Sequence, residues 1–307
     1  MDPGIEIRHL RYFLAVAETE NFTRAAERLA VTQPSVSQQM KELEKRLGTP
    51  LFARFGQRVR LTEAGRAFRK HAEVVLRKLD EACTAVSNVA GAITGHLDVG
   101  VIPALHLAWV PPVLEHIARD HLGLTVAVHE RASHFIETEI EIGRLDLGLG
   151  ITSRTSPNIR YRRLITEKLA LIVPPDHGFA RRPALAVREL EGVPLVLLPE
   201  SFDMRHVVNE VFHRARLRPK IAFENGTIDS TLKTVLHART PTLLPPIALK
   251  GREALGLHAV KLSGRVRPME FGLLWPRGSD SPAARIFAGL LKRMIDSPRR
   301  RPGADGD

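Results

Sequence analysis

Apolar positions between residues 7 and 48 fall into three short runs of helical spacing. Leu10, Phe13, Leu14 and Ala17 mark one face of a helix over residues 7–19. Phe22, Ala25, Ala26 and Leu29 mark a second, with Asn21 placed as its N-cap. The break "AVT" follows, and Thr32 then caps a third helix that carries Pro34 in its first turn, where a missing N–H costs little. In that helix Val36, Met40, Leu43 and Leu47 draw one buried stripe, and Gly48 ends it as a left-handed cap. Gln33, Ser35, Ser37, Gln38, Lys41 and Lys45 are left to face outward. The next stretch, "LFARFGQRVRLT", predicts two short strands around Gly56, made strongly basic by Arg54, Arg58 and Arg60.

From Thr62 the pattern predicts a long helix to about Ala90. Its apolar positions Phe68, Ala72, Val75, Leu79, Ala82, Val86 and Val89 alternate steps of four and three. A seam of period 3.5 over three heptads is a coiled-coil pattern and needs a second helix to cover it, most simply the same helix of another copy, the alternative being a long helix packed on its own domain. The period changes at "GAITGHLDVG", where Leu97, Val99 and Val101 alternate as in a strand. Beyond it, "LTVAVHE", "LDLGLGI", "KLALIVPP", "PLVLLPE", "KIAFENG" and "MEFGLLW" predict short strands, mostly separated by helix-length segments. That rhythm predicts an α/β architecture with mostly parallel sheets, and about 200 residues of it exceed one usual domain, so two lobes are expected. The tail "SPRRRPGADGD" is expected to be disordered.

Charge sharpens the picture. The chain of 307 residues holds 45 Lys and Arg against 34 Asp and Glu, a net of +11. Between residues 22 and 78 there are 13 Lys and Arg against 5 Asp and Glu. Such a balance favours a polyanionic partner, nucleic acid ahead of a membrane surface. Two amphipathic helices separated by a three- to four-residue break form a helix-turn-helix, whose second helix enters the major groove by its N-terminal part. Gln can bond adenine bidentately, Ser serves base or phosphate, and Lys and Arg take phosphates. The basic hairpin adds counterion-release affinity.

Other chemistry finds little footing. Cys83 is the single cysteine, which excludes an intramolecular disulfide or a thiolate metal cluster, and its place beside the heptad seam predicts a buried packing role. No basic region precedes an apolar segment at the N-terminus and no apolar run reaches the roughly 20 residues that a bilayer needs, so a cytoplasmic protein without a membrane is expected. There is no G-x-S-x-G, no Gly-rich phosphate loop and no H-E-x-x-H, so no enzyme and no cofactor is expected. His206, Glu210 and His213 share a helical face at metal-binding spacing, but on one amphipathic helix such residues are ordinarily surface residues, and no metal is expected.

The segment "FTRAAERLAVTQPSVSQQMKELEKRLGTPLFARFGQRVRLTEAG" resembles the winged helix-turn-helix of the LysR-type transcriptional regulators, and the α/β remainder is similar to that family's two-lobed effector domain, itself like periplasmic solute-binding proteins. The resemblance implies a winged DNA-binding domain at 1–61, a linker and dimerisation helix with its hinge at 62–94, and an effector domain at 95–298. Lobe I would take 95–164 and 266–298, and lobe II 165–265, with a tail at 299–307. It also implies double-stranded DNA with a two-fold symmetric site, a small-molecule effector, a homodimer that assembles into a homotetramer, and RNA polymerase as partners. Base contacts would fall on Gln33, Pro34, Ser35, Ser37 and Gln38, with Lys41, Arg54, Arg58 and Arg60 on the backbone. The dimer interface would use Phe68, Ala72, Val75, Leu79, Ala82 and Val86.

For the effector, the matching positions are Ile102, Pro103, Ala104 and Leu105, then Ser133, Ile151, Thr152, Phe202, Arg205 and Thr227, the last of which also suits the N-cap of the helix after it. The family often places Ser or Thr where this chain has Ile102, Pro103 and Ala104. This departure favours a more apolar ligand, or recognition by backbone N–H groups and Arg205, a residue that equally suits an exposed position on a helix. "TIDSTLKTVLHARTPTLLPPIA" and "VLLPESFDMR" are similar to the cyanate-responsive branch of the family, while a thiol-based peroxide sensor is excluded by an effector region without cysteine. The rival readings are a cytoplasmic solute-binding protein, which leaves the N-terminal module unexplained, and a small-molecule enzyme with an accessory DNA-binding domain, which would need a nucleophile and base in the cleft.

Overall fold

The structure, a computed structural model, describes residues 4–55, 58–88, 94–152, 156–264, 266–278 and 281–296. Gly56, Val89, Ala90, the hinge at 91–93, the tail from 299, and the side chains of Arg54, Arg58 and Val86 lie outside the described residues. Residues 1–92 with 142–144 form one compact unit, and 93–141 with 145–307 form another.

The first unit contains α1 (Ile7–Thr19), α2 (Phe22–Arg28), α3 (Gln33–Leu47), β1 (Phe52–Phe55), β2 (Arg58–Leu61) and α4 (Glu63–Asn88). Each boundary has a local cause. Asn21 accepts the N–H groups of Thr23 and Arg24 and starts α2. Gly48 at φ 68° ends α3 in the left-handed region. Thr32 occupies the N-cap of α3 with extended backbone, yet its side chain makes no cap bond. The apolar stripes meet in a core of Leu10, Phe13, Val16, Ala25, Val36, Met40, Leu43, Leu51 and Val59. At its centre Phe13 stacks edge-on against Phe68, with ring centroids 5.0 Å apart. β1 and β2 pair antiparallel as a wing, with Phe52 opposite Leu61.

The second unit runs β3 (Gly95–Val101), α5 (Pro103–Asp120), β4 (Leu124–Glu130), α6 (Ser133–Glu141), β5 (Leu147–Ile151), β6 (Ile159–Glu167), β7 (Ala170–Val173), β8 (Ala184–Ala186) and β9 (Pro194–Leu197). It continues with α7 (Asp203–Arg214), β10 (Lys220–Glu224), α8 (Ile228–Ala238), β11 (Thr242–Leu244), β12 (His258–Ser263), β13 (Met269–Pro276) and α9 (Pro282–Asp296). One lobe is built on a sheet of order β4-β3-β5-β13-β6; the other holds the sheet β11-β7-β12-β8 and the pair β10-β9. The expectation of mostly parallel sheets is corrected. β13 runs antiparallel to both β5 and β6, and β7 antiparallel to both β11 and β12. The reason is topological: the chain leaves the first sheet after β6 and returns to it as β13, so the outgoing and returning strands lie side by side in opposite directions, with Glu167 opposite Met269.

Candidate nucleic-acid interface and interlobe cleft

The buried stripe of α3 fixes which residues the helix can present. Val36, Met40 and Leu43 are 0%, 2% and 0% exposed, so the opposite face must be solvent-directed. Gln33, Pro34, Gln38, Lys41 and Lys45 are exposed, while Ser35 and Ser37 are half-buried, a departure from the expected outward face. The turn before α3 contains Ala30 at φ 54°, a left-handed residue that lets α2 stop and the chain reverse. On α3 itself Glu42 accepts from Arg46 at 2.9 Å, which holds the Glu42 carboxyl below its ordinary value. Arg60 is exposed on β2.

At the foot of the wing, Glu44 accepts from the backbone N–H groups of Leu51 (2.7 Å) and Phe52 (3.1 Å). Thr62 donates its hydroxyl to Pro50 O and accepts from Gly65 N, capping α4. A Cβ on Gly65 would meet Leu51 O at 2.1 Å, so α4 can start this close to the wing only with glycine there.

The seam of α4 divides in two, and its first part is corrected. Phe68 packs on Phe13, and Ala72 is 1% exposed in the core of its own unit, because α1 covers that end of the helix. Val75 is 50% exposed, Leu79 is half-buried and Ala82 is exposed. Cys83 is exposed too, not buried as its position predicts.

In the second unit the expected effector residues lie at helix N-termini and strand ends, and of them Ser133 and Ile151 are joined by a hydrogen bond. Ile102, Ala104 and Leu105 are buried, so their side chains belong to the core, and the Ile102 N–H is already bonded to Leu149 O. Pro103 is half-buried. Ser133 is buried; its N–H donates to Asp203 Oδ2 at 2.8 Å, and its Oγ accepts from Ile151 N at 3.3 Å. Thr152 is tied to Glu270 O through its own N–H at 2.9 Å. Phe202 is the extended residue before α7.

Arg205 is corrected from a ligand contact to a structural residue. It is 5% exposed and donates to Leu198 O (2.7 Å), Glu224 Oε2 (3.0 Å) and Asn209 Oδ1 (3.1 Å), because a buried guanidinium must have its charge and donors matched. Thr227 caps α8 by accepting from Ser230 N at 3.1 Å. In the same helix Asp229 forms a two-bond fork with buried Arg252 (2.7 and 2.9 Å), which holds the Asp229 carboxyl below its ordinary value. On α7, His206, Glu210 and His213 are exposed, and Glu210 is bonded to Arg214. Among the described residues no group of three or more His, Cys, Asp or Glu is placed to hold a metal, and no helix is long and apolar enough to cross a membrane.

Residues 7–66 match the family described as bacterial regulatory helix-turn-helix protein, lysR family, and residues 90–296 match the LysR substrate binding domain. The chain belongs to the LysR family of transcriptional regulators. As a LysR-family chain it is 32% identical over 298 residues to the regulator IlvR of Caulobacter vibrioides, covering 95% of this chain and 98% of that one. It is 29% identical over 295 residues to the Hca operon transcriptional activator HcaR of Escherichia coli, covering 95% and 99%. Its fold is similar to that of full-length CbnR crystallised with its target DNA (TM-score 0.72, 24% identity, 94% of this chain and 99% of that chain). It is also similar to a full-length OxyR variant from Pseudomonas aeruginosa (TM-score 0.70, 23% identity, 94% and 95%).

Two residues of this LysR-family chain escape sequence reasoning. Asp203 is visible only as an acid in the first turn of a helix, and its partner lies 70 residues away. Glu44 reads as one more polar residue on α3, and no local pattern shows that its acceptors are spent on the wing.

Proposed function

We propose that this regulator binds a two-fold symmetric double-stranded DNA site as a homodimer that pairs into a homotetramer, and that a small-molecule effector between the two lobes controls it. In this reading Gln33, Pro34, Ser35, Ser37 and Gln38 meet base edges, and Lys41, Arg54, Arg58 and Arg60 meet phosphates. RNA polymerase is its partner at the promoter, the compartment is the cytoplasm, and the chain catalyses no reaction. The supporting observation is the division of α3 into a fully buried stripe and a face whose N-terminal half exposes Gln33, Gln38 and Lys41.

For the effector, Arg205 is already engaged by Leu198, Asn209 and Glu224. That favours a ligand recognised by shape, apolar contact and backbone groups over one held by a free guanidinium. Selection from a library of random duplexes tests the DNA reading. Enrichment of an inverted repeat with half-sites about one helical turn or a multiple apart is expected. No enrichment over bulk duplex would defeat it.

A further inference from the structure

A negative charge on a helix that faces DNA works against binding unless it is used inward. Glu42 is paired with Arg46 on the helix surface. Glu44 has a different use. It is half-buried, and its Oε1 takes two successive backbone N–H groups at the point where the chain enters β1: Leu51 at 2.7 Å and Phe52 at 3.1 Å. Leu51 is 1% exposed, so its N–H has no recourse to water.

The same point is fixed from other sides. Thr62 N donates to Leu51 O at 2.9 Å, Thr62 Oγ1 to Pro50 O at 2.8 Å, and Val59 N to Glu20 O at 3.0 Å. The ring of Phe52 sits against Phe13 and Phe22 with centroids 5.3 and 5.9 Å away. These bonds tie the wing to α1 and α4, whereas Glu44 ties it to α3. Between the end of α3 and Leu51 lie only Gly48, Thr49 and Pro50, and Gly48 is in the left-handed region. Leu51 and Val59 also share a core with Val36, Met40 and Leu43 of α3, and to that non-directional packing the carboxylate adds the directional bonds from the α3 side.

We propose that Glu44 is a positioning residue for DNA recognition: it holds the wing arginines Arg58 and Arg60 of β2 at the distance from α3 at which helix and wing reach the groove and its flanking phosphates together. The inference rests on the reading that these arginines meet phosphates. The carboxylate touches no DNA, and its effect passes through the backbone of Leu51 and Phe52.

The test is the salt dependence of duplex binding by the full-length protein, because its slope counts phosphates and does not respond to a change in folding stability alone. In Glu44→Ala the slope of log K against log salt should fall by about two units, so that the loss of affinity between about 50 and about 200 mM salt shrinks roughly tenfold. Arg58→Ala with Arg60→Ala should lower it equally, and adding Glu44→Ala to that pair should lower it little further. Glu44→Gln keeps the reach and an acceptor oxygen and should restore the slope; Glu44→Asp, with the charge but one methylene less, should not. If Glu44→Ala does not fold, the comparison of Gln with Asp gives the same reading. A full slope in Glu44→Ala, beside a reduced one in the arginine pair, would overturn the role of Glu44. An unchanged slope in the arginine pair would overturn the wing reading, and the inference with it.

Discussion

The Asp203 carboxylate is bonded to the first backbone N–H of α6: Oδ2 accepts from Ser133 N at 2.8 Å. Asp203 is itself the first residue of α7, so one side chain serves the opening turns of two helices that follow strands of different sheets. His134 approaches the other oxygen at 3.4 Å. An anion at a helix N-terminus is stabilised by the exposed N–H groups and the helix dipole. Here the anion is supplied by the chain, and it clasps one lobe to the other.

Removing the clasp should loosen the second unit. Asp203→Ala leaves the buried Ser133 N–H without its acceptor, at an expected cost of about 1 kcal/mol, since the carboxylate itself is partly hydrated. Asp203→Asn keeps an acceptor and should lose less. Urea unfolding of the full chain gives the cost, and amide exchange at Ser133 locates it; unchanged protection there in Asp203→Ala would refute the clasp.

Dimerisation is expected to rest on the part of α4 beyond the covered end. Replacing Val75 and Leu79 by Asp sets like charges against each other in an apolar seam, at a cost of several kcal/mol, on the order of 3 to 5. Sedimentation should show monomers, with affinity for a full palindrome reduced towards that for one half-site. Phe68→Ala should instead destabilise the first unit, by about 1 to 3 kcal/mol, because its half-buried ring packs against that unit's core. A double Asp variant that stays dimeric would show that the helix is covered in another way.

Base reading should be separable from phosphate contact. Gln33→Ala or Gln38→Ala is expected to cost about 1 to 3 kcal/mol on the selected site and almost nothing on a scrambled duplex. Parallel titrations decide, and equal losses on both duplexes would move these residues to the backbone.

The first unit should weaken in mild acid through His9. The side chain is buried, and loss of hydration is the main cause that holds its imidazole below the ordinary value of 6.5. Its Nδ1 accepts from Glu6 N at 2.9 Å, a bond that requires the neutral ring. The unfolded chain binds the proton first as pH falls, so this stability is complete above about 6.5 and is lost progressively below it. Thermal scans of the wild type and His9→Gln between pH 7 and 5 should diverge, the wild type falling faster. Parallel curves would remove His9 from the account.

Much of the first unit was legible because its signals are local. The stripe Val36, Met40 and Leu43, the caps at Asn21 and Gly48, and the basic hairpin all act within one turn or one strand pair. What was hidden depends on distant partners. Phe68 has the same heptad place as Val75, and only the position of α1 decides that one is covered by its own chain and the other is not. β6 escaped because Arg163, directly after Arg162, breaks the alternation that Ile159, Arg160, Tyr161 and Arg162 begin, although its pairing with β13 is the longest in the sheet. Arg205 looked available for a ligand because sequence shows its charge but not Leu198 O, Asn209 or Glu224 around it.

The side-by-side exit and return of the chain along β6 and β13 has a consequence for synthesis. Every strand of the second lobe lies between Ala170 and Ser263, a continuous stretch that can close on itself as it leaves the ribosome. The first lobe cannot, because β13 sits between β5 and β6 in its sheet and is among the last elements made. Contacts of such long sequence separation form slowly, and until they do β5 has an open edge. The nascent chain is therefore expected to carry a finished second lobe attached to an unfinished first one. Pulse proteolysis of released chains truncated just after Ser263 would show a protected segment starting near Ala170 and cleavage through β3, β4 and β5.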